Sequence, residues 1–187
     1  MPVVETHLIE GYTPEEKKRL MKALTDAIRF VVPAVPEAIT VLLNERPVCD
    51  YMRGGSLRTP APALPDPSAI VMDYLRAMEA RDLDRAGMHL GDRFAMVFPG
   101  TGEMTSLTQL IEWAAPRYRF VTKSYEGVEA LQGEQSAIVY TRGTLAGEWP
   151  DGSAFSGIRF IDRFEVTGGK ITRQDVWNDI AETKGKK

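Results

Sequence analysis

The chain has 187 residues, of which 43% are hydrophobic, and it carries a formal net charge of −3. This weakly acidic balance provides no basic field for nucleic acid, and no apolar run is long enough to span a membrane, so neither partner is expected. A single cysteine, Cys49, rules out an intrachain disulfide framework and fits a cytoplasmic protein. Two distant histidines and the lack of a glycine-rich phosphate loop predict no metal site and no cofactor.

A strand–helix–strand pattern opens the chain. Residues 3–9 and 39–43 are short runs rich in β-branched side chains, which predicts two strands. Between them, Thr13 and Glu16 form a capping-box pattern with Pro14 at the first helical position, so a helix is expected to begin there. This order implies a parallel strand pair with a right-handed crossover. So small a unit cannot bury a core by itself, which predicts a homo-oligomer.

Pro2 precedes the first predicted strand and is a candidate general base. Met1 is expected to be removed before a small second residue, which would leave Pro2 with a free secondary amine. A chain-terminal amine has a pKa of about 7.7–8.0, and a poorly solvated pocket lowers it further. Such a base suits proton abstraction next to a carbonyl. The Met-Pro dipeptide alone does not indicate catalysis, because many chains begin this way.

Short motifs accompany Pro2 in this region: LIEG at residues 8–11, TPEEK at 13–17, LNERP at 43–47 and YMRGG at 51–55. In their order and spacing, the first ~59 residues resemble the 4-oxalocrotonate tautomerase family. The resemblance implies that Pro2 shuttles a proton between carbons of an enol or dienol acid. It also implies that short protomers assemble into trimers or hexamers. A dimer is the remaining alternative for the oligomeric state.

Two positions depart from that family. Its oxalocrotonate-type members carry arginines that bind substrate carboxylates where this chain has Tyr12 and Thr40, so a dicarboxylate substrate is not expected. Tyr51 matches the family's aromatic pocket residue. Arg53 either replaces one of the missing cations or is a solvated or subunit-interface arginine. The resemblance therefore makes all four residues candidates for substrate binding.

Residues 59–67 form a proline-rich segment. Its four prolines favour an extended, semi-rigid linker, which would reach about 28 Å at ~3.1 Å per residue. The segment divides a domain at residues 1–58 from a second domain at 68–181. Residues 182–187 are expected to be a solvated basic tail.

The sequence pattern of the second domain predicts helices first and strands afterwards. Helices are predicted at residues 68–81 and 106–115, the second with Ser106 and Gln109 as a candidate capping box. A strand is predicted at residues 94–98. Long strands are predicted at residues 118–131, 136–149, 155–167 and 170–180. This order indicates an α+β fold in which a curved antiparallel sheet surrounds the helices.

Asp162 is a carboxyl group in an otherwise apolar row. Strand alternation puts it on one face with Phe160 and Phe164. Burial would oppose its ionisation, so Asp162 is expected either to pair with a cation or to stay protonated and donate a hydrogen bond. Backbone amides or a neighbouring arginine could equally satisfy it in a purely structural role.

A second resemblance covers residues 68–180. The segment from Tyr74 to Asp84 and the run IDRF at 161–164 are similar to the ketosteroid isomerase, SnoaL-like polyketide cyclase and nuclear transport factor 2-like superfamily. The resemblance implies a cone-shaped α+β barrel. It also implies that Tyr74 and Asp162 form an oxyanion hole that donates hydrogen bonds to an enolate oxygen.

The base of that isomerase is missing here. Its aspartate precedes a proline, where this chain has Phe98 before Pro99, so steroid isomerisation by that route is not expected. Four acidic or amide residues could replace the missing base: Asp92, Asp175, Asn178 and Asp179. The alternative is that each has a solvated or structural role. Phe98, Trp177 and Asn178 are expected to line the pocket.

The sequence therefore predicts a two-domain α+β isomerase without a cofactor. Pro2 would act as base on a small carbonyl or enol substrate, and the second domain would bind a small apolar ligand. One alternative is a non-catalytic oligomerisation unit fused to a ligand-binding cone. Another places cyclase or isomerase chemistry in the second domain alone.

Overall fold

The structure is a computed structural model that describes residues 1–184. It divides into two compact units, the first of which is Met1–Leu64 and the second of which begins at Pro65. The division lies inside the proline-rich segment. Of the predicted basic tail, residues 182–184 end a short helix, whereas residues 185–187 lie outside the described residues.

The first unit is a β-α-β unit followed by a small hairpin. Strand β1 pairs in parallel with β2, from Val3 opposite Thr40 to Ile9 opposite Arg46. The predicted capping box is present, because the Thr13 hydroxyl accepts from the Glu16 amide and the Glu16 carboxylate accepts from the Thr13 amide. The elements are β1 Val3–Ile9, α1 Pro14–Arg29, β2 Thr40–Arg46, β3 Met52–Arg53 and β4 Ser56–Leu57.

The hairpin that joins β3 to β4 depends on two glycines. Gly54 and Gly55 have φ angles of +61° and +76°, which residues with a Cβ atom rarely adopt. Two consecutive positive φ angles are typical of a two-residue type I′ turn. The turn sets Arg53 opposite Ser56 and directs the chain back past Tyr51, whose carbonyl accepts from the Arg58 amide.

The first unit has no buried core of its own. None of residues 1–64, all of which the structure describes, is buried. Instead, large apolar side chains face outward, and Phe30 is 93% exposed. An apolar surface of this kind is typical of an oligomer interface. The most exposed apolar side chains beside Phe30 are Met1, Val31, Val35, Met52, Leu57 and Leu64.

The second unit is a curved five-stranded sheet packed against helices, which confirms the predicted α+β class. The strand order is β5-β9-β8-β7-β6, and neighbouring strands are antiparallel except for β5, which pairs in parallel with β9. Register shifts within the β6–β7 and β7–β8 pairs add curvature. The elements are α2 Pro67–Glu79, α3 Leu83–Gly87, β5 Leu90–Val97, α4 Leu107–Ala114, β6 Phe120–Gln132, β7 Ala137–Glu148, β8 Ala154–Thr167, β9 Lys170–Asn178 and α5 Ile180–Lys184.

Side-chain caps begin the two longer helices of this unit. Asp66 caps α2 by accepting from the amides of Ser68 and Ala69. Ser106 caps α4 by accepting from the Gln109 amide, as predicted. The Gln109 side chain, however, accepts from the amide of Thr105 at 2.7 Å, so the return bond of the capping box reaches one residue further back.

The core of the second unit consists of two apolar clusters on the inner face of the sheet. One packs α2 against the sheet and includes Val71 and Phe164, and the other includes Trp149 and Phe160. Asp162 lies on β8 between Phe160 and Phe164, and therefore between the two clusters. The fold thus places a carboxyl group in the middle of an apolar interior.

Candidate functional site

Pro2 and Thr40 meet at the start of the β1–β2 sheet. Pro2 is half-buried and precedes β1, and its carbonyl accepts a 3.0 Å hydrogen bond from the Thr40 amide. Met1, which is 90% exposed, precedes it, so the ring nitrogen of Pro2 is part of a peptide bond here. An amide nitrogen is not basic, and cleavage after Met1 is therefore needed to create an amine at this point.

The other predicted residues of the first unit lie at the opposite end of β1. Tyr51, Arg53 and Arg58 line a cavity of about 430 Å³ together with Ile9, the last residue of β1. Tyr12 also follows that end of the strand. A seven-residue strand spans about 23 Å, so these side chains are not neighbours of Pro2 in the same chain.

In the second unit, Asp162 is paired with a cation. The carboxyl group is fully buried, and its Oδ2 accepts a hydrogen bond from Lys123 Nζ. The same ammonium group lies 4.4 Å from the centre of the Phe160 ring. Burial raises the pKa of Asp162 above its ordinary value, and the nearby Lys123 charge offsets part of that rise. Of the two arrangements expected from the sequence, the structure contains the contact of Asp162 with a cation.

Two buried oxygens beside this pair have no hydrogen-bond partner within residues 1–184. They are Asp162 Oδ1 and Thr141 Oγ1. Thr141 lies directly opposite Asp162 in the β7–β8 register, so both oxygens belong to one region of the interior. Buried oxygens of this kind usually bind ordered water or a ligand.

Tyr74 is a fully buried hydrogen-bond donor. Its hydroxyl donates to Gln174 Oε1 at 3.0 Å. Burial, and secondarily the charge of Asp162, raises the pKa of Tyr74, so the hydroxyl stays protonated. We call Tyr74, Lys123, Thr141, Asp162 and Gln174 the interior polar layer. An oxyanion could receive the Tyr74 hydrogen bond only by displacing Gln174.

The remaining predicted pocket residues are divided between two places. Asn178 lines a second cavity of about 410 Å³, and Phe98 packs against Trp113, another residue of that cavity, with ring centres 5.2 Å apart. Trp177 is 53% exposed and is not among the residues that line this cavity. The reason is strand alternation, because the neighbouring Val176 occupies the inward position.

The acidic residues considered as substitute bases differ in their surroundings. Asp175 accepts hydrogen bonds from Arg163 and Arg173, and Asp179 is paired with Arg159. Asp92 is exposed on β5. Within residues 1–184, no group of three or more His, Cys, Asp or Glu side chains is arranged to bind a metal ion, and no helix is long and apolar enough to cross a membrane.

Comparison with known proteins identifies the first unit. Residues 2–59 match the family model described as tautomerase enzyme. A probable tautomerase of Streptococcus pneumoniae is 39% identical over 59 residues, which are 98% of that protein and 32% of this chain. The chain belongs to the tautomerase family. A probable tautomerase of Lactiplantibacillus plantarum is also 39% identical over 59 residues, covering 92% of its length and 32% of this chain. The chain is accordingly an isomerase-type enzyme.

Solved structures identify the fold of the rest of the chain. An NTF2-like protein of unknown function from Burkholderia pseudomallei aligns with a TM-score of 0.52 and 14% identity, covering 62% of this chain and 92% of that one. An NTF2-like protein from Burkholderia thailandensis aligns at 0.51 and 17%, covering 65% and 97%. At these identities the likeness establishes the fold alone, and the second unit has the NTF2-like fold.

Several polar residues of the second unit are not predicted from the sequence. Lys123 and Thr141 are among them, because neither belongs to a motif that carries a family resemblance. Strand alternation was the available signal, since Lys123 shares a face with Val121 and Tyr125 and is therefore expected to point inward. Arg58 could have been found from the Gly54-Gly55 hairpin, which brings it back beside Tyr51.

Proposed function

We propose that this protein is a cofactor-independent keto–enol isomerase in which the secondary amine of Pro2 is the general base. Removal of Met1 would free that amine. It would take a proton from the carbon next to a carbonyl, the C–H electron pair would form the C=C bond, and the carbonyl π pair would move to oxygen. The prolinium ion would then return the proton to oxygen or to another carbon.

The observation that carries this proposal is the position of Pro2. The tautomerase match begins at this residue, and the Thr40 amide holds its carbonyl at the start of the sheet. A terminal residue fixed in this way is oriented for proton transfer rather than free to fray.

The site would be assembled between copies of the chain. Tyr12, Tyr51 and Arg53 lie at the far end of β1, about 23 Å from Pro2. A two-fold axis that sets two β1 strands antiparallel would bring that end of one copy against Pro2 of the other. Residues 1–64 contain no buried residue and expose several large apolar side chains, which supports such an oligomer.

The chemistry of the far end favours a small monocarboxylate substrate. Arg53 and Arg58 line the same cavity as Tyr51, and no acidic residue lines it in the described chain. Arginine binds a carboxylate with two parallel hydrogen bonds. Because both arginines line one cavity, they would bind a single carboxylate together. Neither Tyr12 nor, at the Pro2 end, Thr40 carries a charge that could hold a second carboxylate elsewhere. We therefore assign the substrate class as small keto or enol acids with one carboxylate.

The first test measures whether activity depends on removal of Met1. Preparations with different fractions of processed chain, determined by intact mass, are assayed for ketonisation of phenylenolpyruvate. Activity per chain is expected to rise in proportion to the fraction that begins at Pro2, because only that fraction has the amine. Equal activity in fully processed and unprocessed protein would overturn the role of Pro2.

The second test measures whether the site is shared between chains. The Pro2→Ala and Arg53→Ala variants are each expected to have reduced isomerase activity. A 1:1 mixture of the two, refolded together, should regain about a quarter of wild-type activity. That quarter is the fraction of sites that randomly combine an intact Pro2 with an intact Arg53 from the other chain. Mixing without exchange is the control. No gain after proven exchange would place both residues of each site in one chain and contradict the shared site.

A second candidate site is the interior polar layer. The unpartnered Asp162 Oδ1 and Thr141 Oγ1 support a small ligand whose polar group binds between them. Tyr74 would be a further donor if Gln174 moves aside. With such a site, the second unit would be a ligand-binding module or would carry cyclase or isomerase chemistry of its own. Both are alternatives that the sequence left open.

A further inference from the structure

The proline-rich segment begins at the wall of the cavity in the first unit. Arg58 and Thr59 line this cavity together with Tyr51 and Arg53. The five residues that follow lie beyond the match to the tautomerase model, which ends at Thr59, but they still belong to the first compact unit. The chain therefore stays on this unit after it has passed the cavity. We call residues 58–64 the rim segment.

Two contacts fix the start and the middle of the rim segment. The Arg58 amide donates to the Tyr51 carbonyl at 3.3 Å, which extends the pairing of β3 with β4 by one residue on each side. Pro60 packs against the corner between β1 and α1. A Cβ atom on Gly11 would lie only 2.9 Å from Pro60 Cγ, so this close approach requires a glycine at the corner.

The far end of the rim segment is held by α1. The Arg19 guanidinium donates a hydrogen bond to the Leu64 carbonyl. The residues between Arg58 and Leu64 include two prolines, and a proline-rich chain is stiff over several residues. A hydrogen bond at Leu64 therefore also restricts the positions that Arg58 can take at the other end.

Arg58 has a reason to need this support, because two like charges share the cavity. Arg53 and Arg58 both line it, and neither forms an ion pair with a carboxylate in residues 1–184. Guanidinium groups that are close together repel each other, so without an anion their side chains are driven apart. A backbone that is fixed on both sides of Arg58 opposes this separation. It therefore lowers the cost of assembling both cations around one carboxylate.

We propose that the rim segment is part of the substrate site, in which Arg58 and Arg53 bind the carboxylate and Arg19 is the positioning residue that holds Arg58 there through Leu64. The inference rests on the proposed function for the class of substrate. Arg19 is not among the residues that line the cavity, so it acts on the substrate only through the rim segment. The chain that leads to the second unit is thus a determinant of substrate affinity as well as a tether.

The first measurement is steady-state ketonisation of phenylenolpyruvate by the full-length, processed protein. Arg58→Ala is expected to raise KM about tenfold with little change in kcat, because it removes a contact to a group that does not react. Arg19→Ala should raise KM about threefold, and Arg19→Lys, which keeps a donor for the Leu64 carbonyl, should restore KM to within about twofold of wild type. The matched control is Arg29→Ala, another arginine of α1, which pairs with Asp26 and should leave KM unchanged.

A double variant tests whether Arg19 acts through Arg58. If it does, Arg19→Ala should have no further effect on KM in the Arg58→Ala protein, because the group that it positions is already absent. If the two increases in KM multiply instead, Arg19 affects the substrate independently of Arg58, and the proposal is overturned.

Two further measurements need no turnover. A nitroxide attached at Ala61→Cys, with Cys49→Ser to remove the other thiol, should become more mobile in Arg19→Ala and not in Arg29→Ala. The probe 3-phenylpropionate is a carboxylate of similar size to the substrate but has no carbonyl or enol group to isomerise. Calorimetry should show that Arg58→Ala and Arg19→Ala weaken its binding by about the same factors as they raise KM.

The two proposals fail in different ways. Wild-type activity in Pro2→Ala would overturn the proposed function and would leave the affinity for 3-phenylpropionate unaffected. Unchanged nitroxide mobility or unchanged probe affinity in Arg19→Ala would overturn the role of the rim segment even if Pro2 is the base, and so would a wild-type protein that does not bind the probe. A more mobile nitroxide together with weaker probe binding supports it.

Discussion

Replacing Pro2 with alanine is expected to lower kcat/KM for ketonisation of phenylenolpyruvate by about 10²-fold or more, the usual contribution of a positioned general base. Alanine is small, so Met1 should still be removed, and both proteins then begin with a free amine. The variant loses the secondary amine and the ring that fixes its direction. The measurement is the initial rate of absorbance change, with processing verified by intact mass.

The control for this prediction is Pro14→Ala. Pro14 occupies the first position of α1 and does not line the cavity of Tyr51 and Arg53, so its replacement should leave kcat/KM within about twofold while altering only helix stability. Equal activity of Pro2→Ala and wild type would exclude the Pro2 mechanism. Activity that survives in Pro2→Ala but disappears in Asp162→Asn would instead locate the chemistry in the second unit.

Replacing Lys123 with methionine is expected to destabilise the second unit by about 3–5 kcal/mol at neutral pH. Methionine fills similar volume beside Phe160 but leaves the Asp162 carboxylate buried without its cation. Denaturant unfolding, followed by the fluorescence of Trp113 and Trp149 within this unit, measures the loss. Adding Asp162→Asn should recover most of it, because a neutral amide needs no counter-charge.

The loss in Lys123→Met should become smaller as the pH falls. Burial already raises the pKa of Asp162, and removing Lys123 raises it further. Between the unfolded and folded pKa values the folded state binds more protons, so stability falls as pH rises through that interval and is constant above it. The control is Lys22→Met, an exposed lysine paired with Asp26, which should change stability by about 0.5 kcal/mol or less.

Two results would contradict this view of the ion pair. If Lys123→Met were as stable as wild type at neutral pH, Asp162 would not depend on Lys123. If the double variant were no more stable than the single one, the loss would come from packing against Phe160 rather than from the uncompensated charge. A double-mutant cycle separates the two terms.

Local signals in the sequence were sufficient for most of the fold. The capping box of Thr13 and Glu16, the order of strands and helices, and the alternation around Asp162 depend on residues near one another in the chain. The same is true of the motifs that carry the family resemblance. Interactions between residues close in the chain are largely set by the sequence of the segment itself, which is why the sequence predicts them.

Tertiary structure alone decided which distant groups meet. The partner of Asp162 is 39 residues away, and their contact depends on the registers of β6, β7 and β8, which a bulge shifts between Tyr125 and Gly127. The parallel pairing of β5 with β9 likewise left no local signal. The length of β1 separates Tyr51 and Arg53 from Pro2 within one chain. Sequence by itself therefore determined the family, the α+β class and the candidate base. The three-dimensional register of the strands determined the buried pair of Asp162 with Lys123 and the separation of Tyr51 and Arg53 from Pro2 within one chain.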